Sequence, residues 1–217
     1  MGLVSDIFKE NKKILLLSLG LLVAASLAML MTQSSVYEPL DLTVEKDTYT
    51  QPDQVLEEGI DYQALIKTSF GDIKVDLFES ETPTTVNSFL FLSGKKFYDD
   101  IIFHRVVRGF VIQAGDPKGT GLGGPGYTFA DEITERKFEL YILAMANAGA
   151  NTNGSQFFIV SADIVDGNIQ ALQGKYTIFG KVISGFAVVD SIERVEVDVD
   201  DKPINDIRIE SIQILEN

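Results

Sequence analysis

Two short segments concentrate the residue types that could do chemistry. The first, residues 103–113, is almost wholly apolar but contains Arg105. The guanidinium of an arginine carries a permanent charge and five hydrogen-bond donors on a planar fork. Because a charge among core residues is costly unless something uses it, Arg105 is a candidate for binding or catalysis. The alternatives for a strand arginine are a side chain that reaches solvent or one that pairs with a carboxylate.

The second segment, residues 145–158, combines small residues, amides and aromatic rings within fourteen positions. Together the two segments predict the walls of one pocket, with a fixed guanidinium, several amides and a floor of phenyl rings. Such walls suit the binding of a peptide and a rearrangement around an uncharged bond that is not cleaved. They do not suit hydrolysis, which needs an activated nucleophile or a metal-bound water.

The composition removes several classes of function. The chain of 217 residues has no Cys and a single His, His104, so thiol catalysis and a zinc site built on several imidazoles are excluded. Its net charge of −14 argues against a nucleic-acid partner, which requires a basic surface. We therefore expect no metal and no cofactor. Because His104 is adjacent to Arg105 in the strand, its side chain is expected on the opposite face. We predict that it is a structural hydrogen-bonding residue.

A glycine-rich stretch, residues 119–124, has the GxGxxG spacing of a dinucleotide-binding loop. Pro125 and Gly126 follow where such a loop requires the start of a helix, and no βαβ unit surrounds it. The better interpretation is a flexible loop that borders a groove.

The strands and helices that must position these residues can be predicted from hydrophobic periodicity and from the residues typical of turns and helix starts. Residues 62–69 and 72–78 alternate around Phe70-Gly71, which predicts a hairpin. Thr82 and Pro83 are typical of a helix start, and Arg108-Gly109 is predicted to be a turn. Further strands are predicted over residues 101–107, 110–114, 141–146, 156–160, 176–183 and 204–215, and a second helix over 187–194.

Many short strands with two helices indicate a mainly β fold, an eight-stranded closed antiparallel barrel capped by the two helices. The predicted domain covers residues 61–217. Residues 32–60 are polar and acidic, contain two prolines and show no sustained period, so they are predicted to be a linker.

The chain begins with a candidate membrane anchor. Residues 14–31 carry no charge, and a helix of that length spans about 27 Å, enough for a bilayer core. Three lysines lie in residues 1–13, which predicts a cytoplasmic N-terminus, a single transmembrane helix and a domain on the extracytoplasmic side of the cell membrane. A cleaved signal peptide and a buried helix of a soluble protein are the alternatives.

Long stretches of the chain carry a family resemblance. FHRVVRGFVIQAGDP (103–117), LAMANAGANTNGSQFFI (143–159) and YTIFGKVISGFAVVDSI (176–192) resemble, in order, the segments of cyclophilin-type peptidyl-prolyl cis-trans isomerases. The resemblance runs from about Tyr62 to the C-terminus. It implies an eight-stranded antiparallel barrel with two helices, no cofactor, and proline-containing polypeptides as substrates. With the anchor, it suggests a bacterial, membrane-bound member that acts on exported proteins and whose domain is monomeric.

The resemblance also assigns roles to individual residues. Arg105 matches the catalytic arginine of the family. Tyr176 stands where many members have His, and Ala171 where many have Trp, which argues against tight cyclosporin binding. The positions that match substrate-binding residues are Phe110, Val111, Gln113, Ala146, Asn147, Gln156, Phe158, Leu172 and Tyr176. The alternative to an enzyme is a module or chaperone that holds proline-containing segments with little turnover.

Overall fold

The computed structural model describes residues 46–161 and 167–216. Eight strands and three helices follow one another in these ranges. The strands are β1 (Tyr62–Thr68), β2 (Gly71–Leu77), β3 (Arg105–Val107), β4 (Val111–Ala114), β5 (Ile142–Met145), β6 (Phe157–Val160), β7 (Ile178–Ser184) and β8 (Ile209–Glu216). The helices are α1 (Pro83–Gly94), the one-turn α2 (Gly167–Gln170) and α3 (Phe186–Glu193).

The predicted turns are confirmed. β1 and β2 form an antiparallel hairpin in which Thr68 pairs with Gly71, and the alternate residues of β1 are buried. Gly71 has a φ of 124°, which side chains rarely adopt, so the glycine is needed there. Gly109 likewise has a φ of 74°, and the Phe110 N–H donates to the Val107 carbonyl at 3.0 Å to close the turn between β3 and β4.

All eight strands lie in one antiparallel sheet in the order β3-β4-β6-β5-β7-β2-β1-β8. The prediction of a closed barrel was wrong, because the sheet curves into a half-barrel whose edge strands β3 and β8 form no ladder. The segments around the starts of these strands meet at an isolated bridge between Ile102 and Arg208. Two backbone hydrogen bonds flank it, from the Phe103 N–H to the Ile207 carbonyl at 2.9 Å and from the Ile209 N–H to the Ile101 carbonyl at 2.8 Å. β3 is only three residues long, and its Val106 N–H donates to the Asp201 carbonyl at 2.8 Å. A loop therefore occupies the edge that a closing strand would need.

Alternation along the central strands separates two apolar clusters. Val106, Ile112 and Phe157 belong to the main core between the sheet, α1 and α3. Their sequence neighbours Val111 and Phe158 lie in a second, smaller cluster on the opposite face of the sheet. The same strands thus build the core with one face and position a second apolar surface with the other.

The start of α1 differs from the prediction in one respect. Pro83 occupies the first helical turn as expected, but the Thr82 hydroxyl donates to the Phe78 carbonyl at 3.1 Å and does not cap the helix. The carboxylate of Glu132 accepts the Thr84 N–H at 3.0 Å and the Thr85 N–H at 2.8 Å instead. A residue distant in sequence therefore satisfies the free donors of this helix end.

Residues 46–60, the described part of the predicted linker, lie against the domain. Tyr49, Leu56 and Ile60 pack on the main core. The predicted transmembrane helix, residues 14–31, lies outside the described residues. Within residues 46–161 and 167–216, no helix is both long and apolar enough to cross a bilayer.

Candidate active site

Three of the predicted site residues lie side by side across three neighbouring strands. Arg105 of β3 pairs with Gln113 of β4, and Gln113 pairs with Phe158 of β6. Directly paired residues of antiparallel strands project to the same face of a sheet. Register alone therefore places a cation, an amide and a phenyl ring in one row, with about 10 Å between the outer two backbones.

Phe158 is the centre of an apolar floor. Its ring stacks on Phe138, with centroids 6.1 Å apart and planes at 15°, and meets the edge of Tyr176 at 5.7 Å. Leu172 is buried in the same cluster, and Phe110 packs against it while remaining partly exposed. These neighbours fix the orientation of Phe158.

Val111 completes the floor from the neighbouring strand. It is 3% exposed and pairs with Val160, two positions before Gln113 on the same face of β4. Phe110, Val111, Phe158, Leu172 and Tyr176 thus come together as the apolar half of the predicted site.

Arg105 lies at the open edge of the sheet. Its Nε is 3.9 Å from the Asp201 carboxylate, and both side chains are about two-fifths exposed, at 39% and 46%. Asp201 is held in the left-handed region at φ 62°, and its own carbonyl accepts the Val106 N–H. The contact with a carboxylate, which sequence reasoning considered as an alternative to a catalytic role, therefore exists beside the row described above. The contact involves Nε, and no side-chain hydrogen bond from Arg105 to the described residues accompanies it.

Gln113 and Gln156 connect the row to the glycine-rich loop. The Gln113 Nε2 donates to the Gln156 Oε1 at 3.0 Å. The Gln156 Nε2 donates in turn to the carbonyls of Gly121 at 3.0 Å and Gly123 at 2.9 Å. Because both amide hydrogens of Gln156 are used within the protein, its visible role is to orient Gln113, whose Oε1 can accept a hydrogen bond.

The loop over residues 119–124 is tied down, contrary to the expectation of a flexible loop. The buried Asp116 carboxylate accepts the N–H groups of Lys118 at 2.7 Å, Thr120 at 2.8 Å and Gly121 at 2.5 Å. A Cβ on Gly123 would lie 1.9 Å from Asp116 Oδ1, so glycine is required there. Burial raises the pKa of Asp116, but the backbone N–H donors together lower it by more than burial raises it. The pKa of this carboxyl therefore lies below its ordinary value.

Ala146 and Asn147 directly follow the end of β5. The Ala146 N–H donates to the Gln156 carbonyl at 2.9 Å. The Asn147 side chain donates to Lys175 O at 3.2 Å and Asp131 Oδ1 at 3.3 Å, so its amide is engaged in the fold. Within the described residues the Asn147 backbone forms no hydrogen bond with another backbone group, which leaves that backbone able to bind a peptide.

A groove of about 820 Å³ lies beside this row. Four predicted site residues line it, namely Gln113, Ala146, Asn147 and Gln156, together with the glycine-rich loop. The prediction that this loop borders a groove is confirmed. The site therefore consists of an apolar floor around Phe158 and a polar groove, with Gln113 between them.

His104 is buried at 7% exposure, but the predicted hydrogen bond is not formed. Neither ring nitrogen has a partner among the described residues. Burial lowers the pKa of His104 more than nearby Asp116 raises it. The ring is therefore neutral at physiological pH and adds no charge beside Arg105.

Sequence reasoning missed four residues that the structure brings to the site. Phe138 supports Phe158, Asp201 contacts Arg105, and Thr48 and Thr50 line the groove. Phe138 lies alone between Lys137 and Glu139 in a stretch without a period, so no local pattern marks it. Thr48 and Thr50 belong to the segment predicted to be a linker, and Asp201 ends a short acidic stretch, residues 198–201, that carries no recognisable motif.

Comparison with known proteins agrees with this geometry. The family model of cyclophilin-type peptidyl-prolyl cis-trans isomerases matches residues 64–214. A peptidyl-prolyl cis-trans isomerase of Arabidopsis thaliana is 45% identical over 157 residues, covering 70% of this chain and 95% of that protein. Peptidyl-prolyl cis-trans isomerase A of Mycobacterium tuberculosis is 46% identical over 170 residues, covering 70% and 91%.

Solved structures give the same result. The crystal structure of a cyclophilin-type isomerase of Cryptosporidium parvum is 43% identical, with a TM-score of 0.67 over 73% of this chain and 99% of that one. A second structure, obtained in the presence of the dipeptide Ala-Pro, is 44% identical with a TM-score of 0.66. With the half-barrel, the apolar floor and the arginine in one row, these matches establish that the chain belongs to the cyclophilin family and is a peptidyl-prolyl cis-trans isomerase.

Proposed function

We propose that Arg105 accelerates isomerisation by donating a hydrogen bond to the nitrogen of the X–Pro peptide bond. In the planar ground state this nitrogen shares its lone pair with the carbonyl, and the barrier to rotation is about 18–20 kcal/mol. At the twisted transition state the conjugation is lost and the lone pair returns to nitrogen. A guanidinium donor then binds the transition state more strongly than the substrate, which lowers the barrier.

The apolar floor holds the proline ring during this rotation. Phe158 is fixed between Phe138 and Tyr176, so the ring of a substrate proline packs on a surface that does not move. Gln113 and the backbone of Asn147 bind the flanking peptide, and the rotating carbonyl turns relative to them. No bond is broken, so the reaction needs neither a nucleophile nor a cofactor.

The free energy of one hydrogen bond indicates how much of the rate acceleration Arg105 can supply. A hydrogen bond from a charged donor contributes about 1.5–3 kcal/mol, which corresponds to roughly ten- to a hundredfold in rate. Any larger acceleration comes from holding the proline and its neighbours in the twisted geometry. The observation that carries the proposal is the register that aligns Arg105, Gln113 and Phe158 on three adjacent strands.

The test compares two arginines that flank the same short strand. Arg105→Ala should reduce turnover of an X–Pro peptide by at least tenfold while the thermal unfolding midpoint changes little. Arg108→Ala is the matched control, since Arg108 is exposed at the adjacent turn and bonds the Arg194 carbonyl outside the row. Turnover by Arg105→Ala equal to that of Arg108→Ala would refute the role of Arg105.

We further propose that the enzyme works at the outer face of the cell membrane of a bacterium, on exported proteins, as a monomeric domain. The support is the uncharged stretch of residues 14–31 and the lysines that precede it, opposed by an acidic remainder. Alkaline carbonate extraction of cells tests the anchor. Full-length protein in the pellet is expected, and soluble protein that begins near Met29 would show that residues 1–28 are cleaved as a signal peptide.

A further inference from the structure

Two residues from the segment that precedes the half-barrel belong to the groove of the active site. We call residues 46–60 the strap. Thr48 and Thr50 line the same groove as Gln113, Ala146, Asn147 and Gln156. Both threonines are exposed, so their side chains are accessible to a bound peptide.

The strap is attached to the wall of the groove at Tyr49. The Tyr49 N–H donates to the Pro125 carbonyl at 2.7 Å, in the loop that forms the groove wall. A Cβ on Gly126 would lie 2.6 Å from the Tyr49 carbonyl and 3.1 Å from the Thr48 Cβ, so the strap lies directly on this glycine. The Tyr49 ring meets Phe91 of α1 edge-on at 5.1 Å. Thr48 and Thr50 flank this anchored residue on either side.

The other end of the strap is held by one buried amide. The Asn87 Oδ1 accepts the N–H groups of Val55 at 2.8 Å and Leu56 at 2.9 Å, and its Nδ2 donates to the Asp53 carbonyl at 3.0 Å. Asn87 itself is 7% exposed. Because the strap is fixed on both sides of Thr50, it forms a wall of defined position.

The groove lining determines which side chain it can accept. Its lining combines glycines, hydroxyls and amides with four apolar residues, Leu122, Pro125, Ala146 and Ala148. Lys118 is the one charged residue that lines it among the described residues. The threonines narrow its outer side. A groove bordered by these side chains favours small residues of the substrate over large ones, and Lys118 favours an acidic one.

We propose that Thr48 and Thr50 determine specificity by contacting the side chain of a substrate residue that flanks the X–Pro bond. This inference rests on the proposed function, because it assumes that the proline lies on Phe158 and that the peptide continues past Gln113. The strap then selects among prolines by their neighbours, while Arg105 acts on every one that binds.

The experiment uses the full chain and peptides with a single X–Pro bond, in which one flanking residue at a time is varied on either side. At one of the flanking positions, Thr48→Phe and Thr50→Phe should lower kcat/KM by about tenfold for peptides that carry Gln or Leu there. Peptides with Gly or Ala there should stay within twofold. The double variant Thr48→Ala, Thr50→Ala should do the opposite and raise kcat/KM for Leu and Phe at that position.

Two controls make the outcomes separable. Thr84→Phe changes an exposed threonine on α1 outside the groove and should leave the order of peptides unchanged. Arg105→Ala, measured on the same peptides, should slow all of them alike. If Arg105→Ala behaves so but no threonine variant alters the order of peptides, this inference is overturned and the mechanism stands. If Arg105→Ala remains active, the mechanism itself has failed.

Discussion

At the residue scale, the site combines a cation at a sheet edge with a phenyl ring set in an apolar cluster. Arg105 alone would give a solvated surface charge, and Phe158 alone a patch of core. Their functional value comes from Gln113, which pairs with both across the sheet and is itself oriented by Gln156. The carboxylate of Asp201 lies 3.9 Å from the Nε of Arg105.

Asp116 is the residue on which the groove wall depends. Its carboxylate accepts three backbone N–H groups and is 1% exposed, and its pKa is lowered in the folded protein. A carboxyl with a lowered folded pKa stabilises the fold above its unfolded pKa of about 3.9 and loses that contribution as the pH falls through the folded value.

We therefore expect Asp116→Asn to lower the free energy of unfolding by roughly 1.5–3 kcal/mol at pH 7. The difference from the wild-type chain should shrink as the pH is lowered below about 4, where the carboxyl of the unfolded chain becomes protonated first, and should level off below the lowered pKa of the folded state. Denaturant unfolding at several pH values measures this. Asp72→Asn, which changes an exposed carboxylate on β2, is the control and should change the free energy of unfolding at pH 7 by less than about 0.5 kcal/mol. A difference that stays constant with pH would contradict the account.

At the scale of elements, alternation along β4 and β6 gives the protein two apolar surfaces. These two strands could be predicted from the sequence as short, mostly apolar runs, and so could the hairpin at Phe70-Gly71 and the helix start at Pro83. Which face covers the main core could not, because both faces carry apolar residues such as Ile112 and Val111. Only the pairing with neighbouring strands decides it.

The helix start shows a related limit. Thr82 has the residue type of an N-cap, yet its hydroxyl bonds Phe78 and the donors of α1 are satisfied by Glu132 from another loop. The Glu132 N–H in turn donates to the Thr177 hydroxyl at 2.9 Å, next to Tyr176 of the apolar floor. Local propensity predicts that a helix begins here, but tertiary contacts choose its cap.

Glu132→Ala should destabilise the protein by about 1–2 kcal/mol, since it removes the acceptor for two helix donors and an anion at the positive end of α1. Glu135→Ala, an exposed carboxylate in the same loop, is the control and should change stability by less than about 0.5 kcal/mol. The shift in thermal unfolding midpoint distinguishes them. Equal midpoints for the two variants would show that Glu132 does not cap the helix.

At the scale of the whole molecule, an open half-barrel replaces the predicted closed barrel, and a strap extends the domain toward the N-terminus. The polar composition of residues 46–60 predicts a linker, because so few of its side chains are apolar. The strap is attached through backbone groups that form hydrogen bonds with Asn87 and through the contacts of Tyr49 with Gly126 and Pro125. Such contacts leave no periodic pattern in the sequence. The anchor of residues 14–31 stays a prediction.

A chain shortened to residues 61–217 should be less stable than one of residues 46–217 by at least about 2 kcal/mol. The shorter chain loses three hydrogen bonds to the buried Asn87 and the packing of Tyr49 on Phe91. Turnover of peptides with small flanking residues should remain, since Arg105 and Phe158 are untouched. Equal unfolding midpoints would mean that the strap is not part of the folded unit.

The central claim is that Arg105 acts on the transition state and not on the bound substrate. The measurement is the dissociation constant of an X–Pro peptide together with its rate of isomerisation on the saturated enzyme. For Arg105→Ala the account predicts a dissociation constant within about threefold of wild type and an on-enzyme rate lower by tenfold or more. Phe158→Ala should weaken binding and rate together. An Arg105→Ala variant that binds weakly but isomerises bound peptide at the wild-type rate would contradict the account.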